Sequence, residues 1–152
     1  MGERTVIDNQ QSFDNRYLFS AVSPITGDSF HLMSIDGFDS EVAHLFLIAL
    51  KKQHPTETVI VVWDNAPCHR PVVHREIHGL IVLFLPPYSP ELNPAERFFE
   101  ELRKATANQI FKTIAEQEVV IERKLNELGD DINGMKRLLG YEWILRQCER
   151  VS

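Results

Sequence analysis

Short apolar runs alternate with polar breaks along this chain, and the runs carry two different periods. YLFSAVSP (17–24) is apolar, rich in aromatic and β-branched residues, and stops at Ser-Pro, which predicts a strand. ITGD then offers a turn through Gly27, and SFHLMSI (29–35) returns as the second arm of a hairpin. Asp39 or Ser40 can cap a helix over 41–53, in which Val42, Leu45, Phe46 and Ala49 share one face. Pro55 closes that region. TVIVVWD (58–64) and LIVLFLPP (80–87) are almost wholly apolar, the pattern of strands buried on both faces. Between them, 66–78 reads as irregular chain or a short helix. In ELNPAERFFEELRKATANQIF, Asn93 is a cap, Pro94 suits a first helical turn, and Glu96 gives that turn an acid. Phe98, Phe99 and Leu102 supply the helix with an apolar side. Another helix covers about 113–128 and ends at Gly129, and the tail 132–150 predicts one more, ending in Trp143, Ile144 and Leu145. A hairpin followed by buried strands and helices predicts a mixed α/β sheet with helices on both faces.

Composition narrows the class. A length of 152 residues suits one domain with a full core. No apolar run approaches the roughly 20 residues needed to span a bilayer. The opening MGERTVIDNQQSFDN lacks the apolar centre of a signal peptide, so the expected location is cytoplasmic, and nucleoid-associated if the source is prokaryotic. The 2 cysteines, Cys68 and Cys148, form no CxxC pair, which argues against a zinc site or a disulfide framework. Cys68 reads as a small filler. A formal net charge of -6 argues against a stand-alone nucleic-acid binder. It leaves room for an enzyme that meets DNA through a local basic patch and bound metal ions.

The candidate chemistry sits at the ends of the two buried runs. Asp64 ends the first, and Glu96 opens the helix that follows the second. One helix or loop plus one strand separates them, so the chain can fold the two acids towards each other. Paired carboxylate oxygens suit Mg²⁺ or Mn²⁺, and such ions can drive in-line displacement at a phosphodiester. Each acid also has a plainer reading. An Asp after a strand often caps a turn, and a Glu at a helix start often answers the helix dipole.

The wider text is more specific. DNAPCH (64–69) and LPPYSPELNPAE (85–96) resemble the signature of the DDE-superfamily endonucleases, the insertion-sequence and mariner-type transposases. YLFSAVSPITGDSF (17–30) looks like the hairpin that precedes the helix in these proteins, and the resemblance runs over about residues 2 to 112. It implies a ribonuclease-H-like mixed sheet flanked by helices, Mg²⁺ or Mn²⁺ as cofactor, and DNA at transposon ends and target as substrate. It implies that Asp64 and Glu96 are the second and third acids of a metal-binding triad. Asn65 and His69 would line the same site, while Asn93, Pro86, Pro87, Pro90 and Pro94 would shape the turn that delivers Glu96. Proline fixes φ, so PPYSP makes a stiff connector. Tyr88 reads as packing over that turn. His69, Arg70, His74, Arg75 and His78 could meet phosphate, although a solvated face suits all but His69. Arg97, Arg103 and Lys104 follow Glu96 and could hold phosphates or pair with Glu100 and Glu101.

The pattern departs from the family at its start. The first acid belongs on the first strand of the sheet, which in the ribonuclease-H-like order lies centrally, between the hairpin and the strand ending in Asp64. GERTV (2–6) resembles the Gly-x-Arg-Pro-like segment that follows that strand. The expectation is therefore a partial catalytic domain over 1–152, with core 16–112 and C-terminal helices 113–150, lacking its central strand and leaving two unpaired edges. Asp8 and Asp14 lie in a polar, turn-like stretch, Asp28 in the hairpin turn and Asp36 after it, and none fits the first acid well. Such a chain would be a second reading frame joined by frameshifting or a degenerate remnant. Its partners would be DNA, a second copy, or the product of an upstream transposase reading frame, with no membrane association. The function expected is metal-dependent strand cleavage and transfer at transposon ends. The alternatives are a non-catalytic module that binds DNA or full-length transposase, and another metal phosphohydrolase on the same fold.

Overall fold

The computed structural model describes residues 3–13, 16–35, 39–64, 76–86, 90–142 and 144–146. Five strands form one sheet: β1 (Glu3–Phe13), β2 (Arg16–Val22), β3 (Ser29–Ser34), β4 (Thr58–Trp63) and β5 (Leu80–Phe84). Four helices accompany them: α1 (Ser40–Gln53), α2 (Ala95–Thr106), α3 (Ile114–Asp130) and α4 (Ile132–Leu139). The strand order is β3-β2-β1-β4-β5. β1 and β2 are antiparallel, as are β2 and β3, whereas β4 runs parallel to both β1 and β5.

This order corrects one expectation. The central place is filled, because Glu3–Phe13 pairs with β2 on one side and β4 on the other. A stretch that reads as polar and turn-like is extended because both neighbours offer free edges, and strand preference depends strongly on such context. Thr5, Val6 and Ile7 supply β-branched residues at its start. Asp8 is therefore a residue of the central strand, while Asp14 and Asp36 lie outside the described residues.

Apolar residues alternate along β2 and β4 and build a core on each side of the sheet. Leu18 and Val22 face α2, with Phe98, Phe99, Leu102, Ile121, Met135 and Leu139. Phe19, Ala21, Val59, Val61 and Trp63 face α1, with Ala43, Phe46, Leu47 and Leu50. The result is a sheet between two helical layers. The buried stripe of α1 is Ala43, Phe46, Leu47 and Leu50, not the expected Val42, Leu45, Phe46 and Ala49, and Leu45 is 59% exposed. β5 departs further. It is an edge strand whose outer residues Ile81 and Leu83 are 49% and 48% exposed, so only one of its faces is covered.

Local chemistry sets the element ends. Asp39 caps α1 by accepting from the Val42 N–H at 3.0 Å. Gly27 sits at φ 75° in the β2–β3 turn, where its N–H donates to the Ser23 carbonyl. A Cβ at Gly27 would meet the Ile132 carbonyl oxygen at 2.6 Å, so glycine is required twice over there. Gly129 does not end α3, which runs on to Asp130. Asp131 then starts α4 by accepting from the Gly134 N–H at 2.9 Å. Among the described residues no helix is long and apolar enough to cross a membrane.

Candidate functional site

Asp64 follows directly on β4, where the Leu85 N–H donates to the Trp63 carbonyl at 2.7 Å and keeps the chain alongside β5. Trp63 is buried on the α1 side, while Val62 packs on the α2 side. Asp64 itself is half-buried. Alternation carried one position past β4 would put Asp64 on the side of α2, the helix whose first turn holds Glu96.

Asn93 fixes how α2 begins. It is 1% exposed, its Oδ1 accepts from the Ala95 N–H at 3.0 Å, and its backbone carbonyl accepts from the Glu96 N–H at 3.1 Å. A short 3₁₀ turn, Pro90–Leu92, leads into it, and Pro94 holds φ at -61° just before the helix. The Phe98 and Phe99 rings, 5.6 Å apart and edge-to-face, anchor the next turn. Pro86 is exposed, while Asn65, Cys68, His69, Arg70, His74, Arg75, Pro87 and Tyr88 lie outside the described residues.

The cations after Glu96 have separate partners. Arg103 Nη2 lies 3.6 Å from Glu96 Oε2, and both side chains are partly exposed. Lys104 pairs with Glu101 at 2.9 Å. The Arg97 guanidinium lies 3.8 Å from the centre of the Tyr141 ring and donates to the Leu138 carbonyl, tying α2 to α4. Among the described residues no group of three or more His, Cys, Asp or Glu side chains is arranged to hold a metal. A cavity of about 140 Å³ is lined by Ser23 and Asp28 of the β2–β3 connection and by Gln53 and His54 at the end of α1.

One polar feature under α2 escaped the sequence reading. His31 of β3 places Nδ1 2.8 Å from Ser20 Oγ of β2, and its ring stacks on Phe98 at 5.3 Å with planes 5° apart. Its Nε2 is buried without a hydrogen-bond partner among the described residues. Burial lowers the His31 pKa from 6.5 to about 4, so the ring is neutral near pH 7. A lone histidine in SFHLMS carries no spacing signal; only its cross-strand partner reveals it.

Comparison with known proteins agrees with this architecture. The family model described as DDE superfamily endonuclease matches residues 1–117. No curated protein matches. Among solved structures, the chain is similar to the catalytic core domain of BIV integrase, with a TM-score of 0.54, 18% identity and 82% of each chain covered. It is also similar to a chain of the simian T-cell lymphotropic virus intasome in complex with PP2A regulatory subunit B56 gamma. That match has a TM-score of 0.55 and 14% identity, and spans 79% of this chain but only 46% of that one. Identities this low speak for fold alone, and the fold is ribonuclease-H-like. Matched by the family over most of its length, the chain belongs to the DDE superfamily endonucleases.

Proposed function

We propose that this chain is the catalytic-domain portion of a transposase, acting in metal-dependent DNA cleavage and strand transfer at transposon ends. The observation that carries the reading is the placement of Asp64 just past the end of a buried strand and of Glu96 at the start of a buried helix. Their hard oxygens suit Mg²⁺ or Mn²⁺, and Mg²⁺ is commonly held by one or two carboxylates together with substrate phosphates. A bound ion of this kind supplies activation of water or a 3′-hydroxyl and stabilisation of the leaving oxygen. Within the chain, Asp64 and Glu96 would hold the ion, and Asn93 would orient Glu96 through its bonds to the Ala95 and Glu96 N–H groups. Arg103, 3.6 Å from Glu96, would offer its guanidinium to a substrate phosphate. Asn65 and His69, just past Asp64, are proposed to line the same site.

The test is cleavage of a labelled transposon-end duplex by the full chain with Mg²⁺ or Mn²⁺, alone and with the upstream reading-frame product. Cleavage that disappears in Asp64→Asn and Glu96→Gln bears the reading out. Absence of cleavage in both mixtures counts against it. A second reading, a non-catalytic module that binds DNA or full-length transposase, draws on the register of β1. Asp8 pairs with Trp63 of the α1 face and not with a residue of the α2 face. Duplex or transposase binding without cleavage would favour that reading.

A further inference from the structure

We propose that the connection between α2 and α3, residues 107–113, is a duplex-contacting loop. Ile110 seats in a groove of the DNA, and Arg103, Lys104 and Lys112 meet the phosphates beside it. The proposal rests on the reading of the chain as one that acts on DNA, and adds to it a surface beyond Glu96.

Ile110 is 98% exposed, the most exposed large apolar side chain among the described residues. Single exposed apolar residues are ordinary on protein surfaces, so exposure by itself assigns nothing. The difference at Ile110 is that the loop is braced on both sides of it. Asn108 takes the left-handed region at φ 59°, which turns the chain just past α2. Gln109 Nε2 donates back to the Ala105 carbonyl at 2.7 Å, and Thr106 Oγ1 donates to the Arg103 carbonyl at 3.2 Å. On the far side Thr113 caps α3 by accepting from the Glu116 N–H at 3.2 Å. Glu116 in turn accepts from the Lys112 N–H at 2.9 Å, so its carboxylate serves the cap. A tip held out in this way has little freedom left to lose on binding.

Charge selects the occupant. RKATANQIFKT (103–113) carries three cations and no acid, in a chain of net charge -6. Arg103, Lys104 and Lys112 are all exposed. Such a run attracts a polyanion, and an apolar tip among phosphate-binding cations suits a DNA groove, where apolar side chains can contact or wedge between bases. The position along α2 agrees. Arg103 lies 3.6 Å from Glu96, so the two share one flank of the helix. At about 1.5 Å per residue, Ala107 lies about 16 Å from Glu96 along the axis. A duplex with one phosphodiester at Glu96 and laid along this flank reaches the loop within about half a helical turn. Arg103 and Lys104 also pair with Glu96 and Glu101, which leaves Lys112 as the cation that tests the surface most cleanly.

Fluorescence anisotropy of a labelled duplex with the full chain, in EDTA and across a series of salt concentrations, tests the loop without metal or cleavage. Ile110→Ser should weaken binding about tenfold through the lost apolar contact, with the salt dependence unchanged. Lys112→Gln should weaken binding and lower the slope of log affinity against log salt by about one. Ile110→Leu should bind like the wild type. Both positions are exposed, so neither substitution removes a buried contact. The proposal is overturned if either Ile110→Ser or Lys112→Gln binds the duplex as the wild type does. It is overturned equally if Ile110→Ser acts only by dissociating a complex between chains in sedimentation, which would make the tip a protein contact. A wild-type chain that binds no duplex overturns it as well. The catalytic reading is decided separately, by cleavage and its loss in Asp64→Asn.

Discussion

His31 links the fold to pH through a single ring. Its pKa is lowered to about 4 by burial, while in the unfolded chain it lies near 6.5. Between those values the unfolded chain binds a proton at this position and the folded chain does not. Stability therefore falls as pH drops through that window, levels off below it, and is fully present above it. At about 1.4 kcal/mol per pKa unit the loss is at most about 3.5 kcal/mol, less whatever solvent screening the partly exposed ring retains. His31→Phe keeps a ring against Phe98 and removes the proton site. Urea midpoints near pH 7 and pH 4.5 should differ less for this variant than for the wild type, and an equal difference would refute the assignment. The Glu96–Arg103 pair is a weaker contributor. Both side chains are partly exposed, so Arg103→Gln should cost under about 1 kcal/mol in thermal unfolding. The same variant should bind duplex DNA more weakly, with a shallower salt dependence. Asp64, Glu96 and Asn93 were legible because they sit where an apolar run meets punctuation, and the motif text around them is long. His31 and Ser20 were not, because their partnership spans two strands and has no local spacing.

At the scale of elements, burial separates positions that look alike in sequence. Phe98 is 0% exposed at the heart of the α2 core, and Phe98→Ala should cost about 3–5 kcal/mol in chemical denaturation. Leu83 lies in an equally apolar run but on the open face of an edge strand. Leu83→Lys should change stability by no more than about 0.5 kcal/mol, and should improve solubility by blunting the edge. A loss comparable to that of Phe98→Ala would mean that this face is covered. Gly27→Ala forces a Cβ into the Ile132 carbonyl at a positive φ, and should lower the thermal midpoint. Periodicity found β2 to β5 and three helices within a few residues, but not β1. It could not tell a central strand from an edge strand, because both read as apolar runs. It also set the buried face of α1 one position off, since Leu45 is apolar yet faces out.

For the molecule as a whole, the central strand is the main lesson. ERTVIDNQQSF has too few apolar residues to announce a strand at the middle of a sheet. Its partners make it one: β2 and β4 are apolar on both faces, and each needs the hydrogen bonds that β1 provides. A chain lacking residues 3–13 should therefore lose its cooperative unfolding transition, whereas the full chain should unfold in one step. Equal cooperativity in both would show that β1 is dispensable. The mixed sheet between two helical layers was open to reading from the motif and its family, whereas the occupied central place was not. The register of β1 was not, because no local feature of a polar strand fixes which residue faces which helix.

The central claim is that Asp64 and Glu96 hold one ion between them. A double-mutant cycle on Mn²⁺ binding tests it most directly, with Asp64→Asn, Glu96→Gln and the pair titrated calorimetrically. The account predicts that each single substitution weakens binding and that the double variant is scarcely weaker than either, because the two carboxylates serve one site. Fully additive losses, or binding untouched by either substitution, would contradict it.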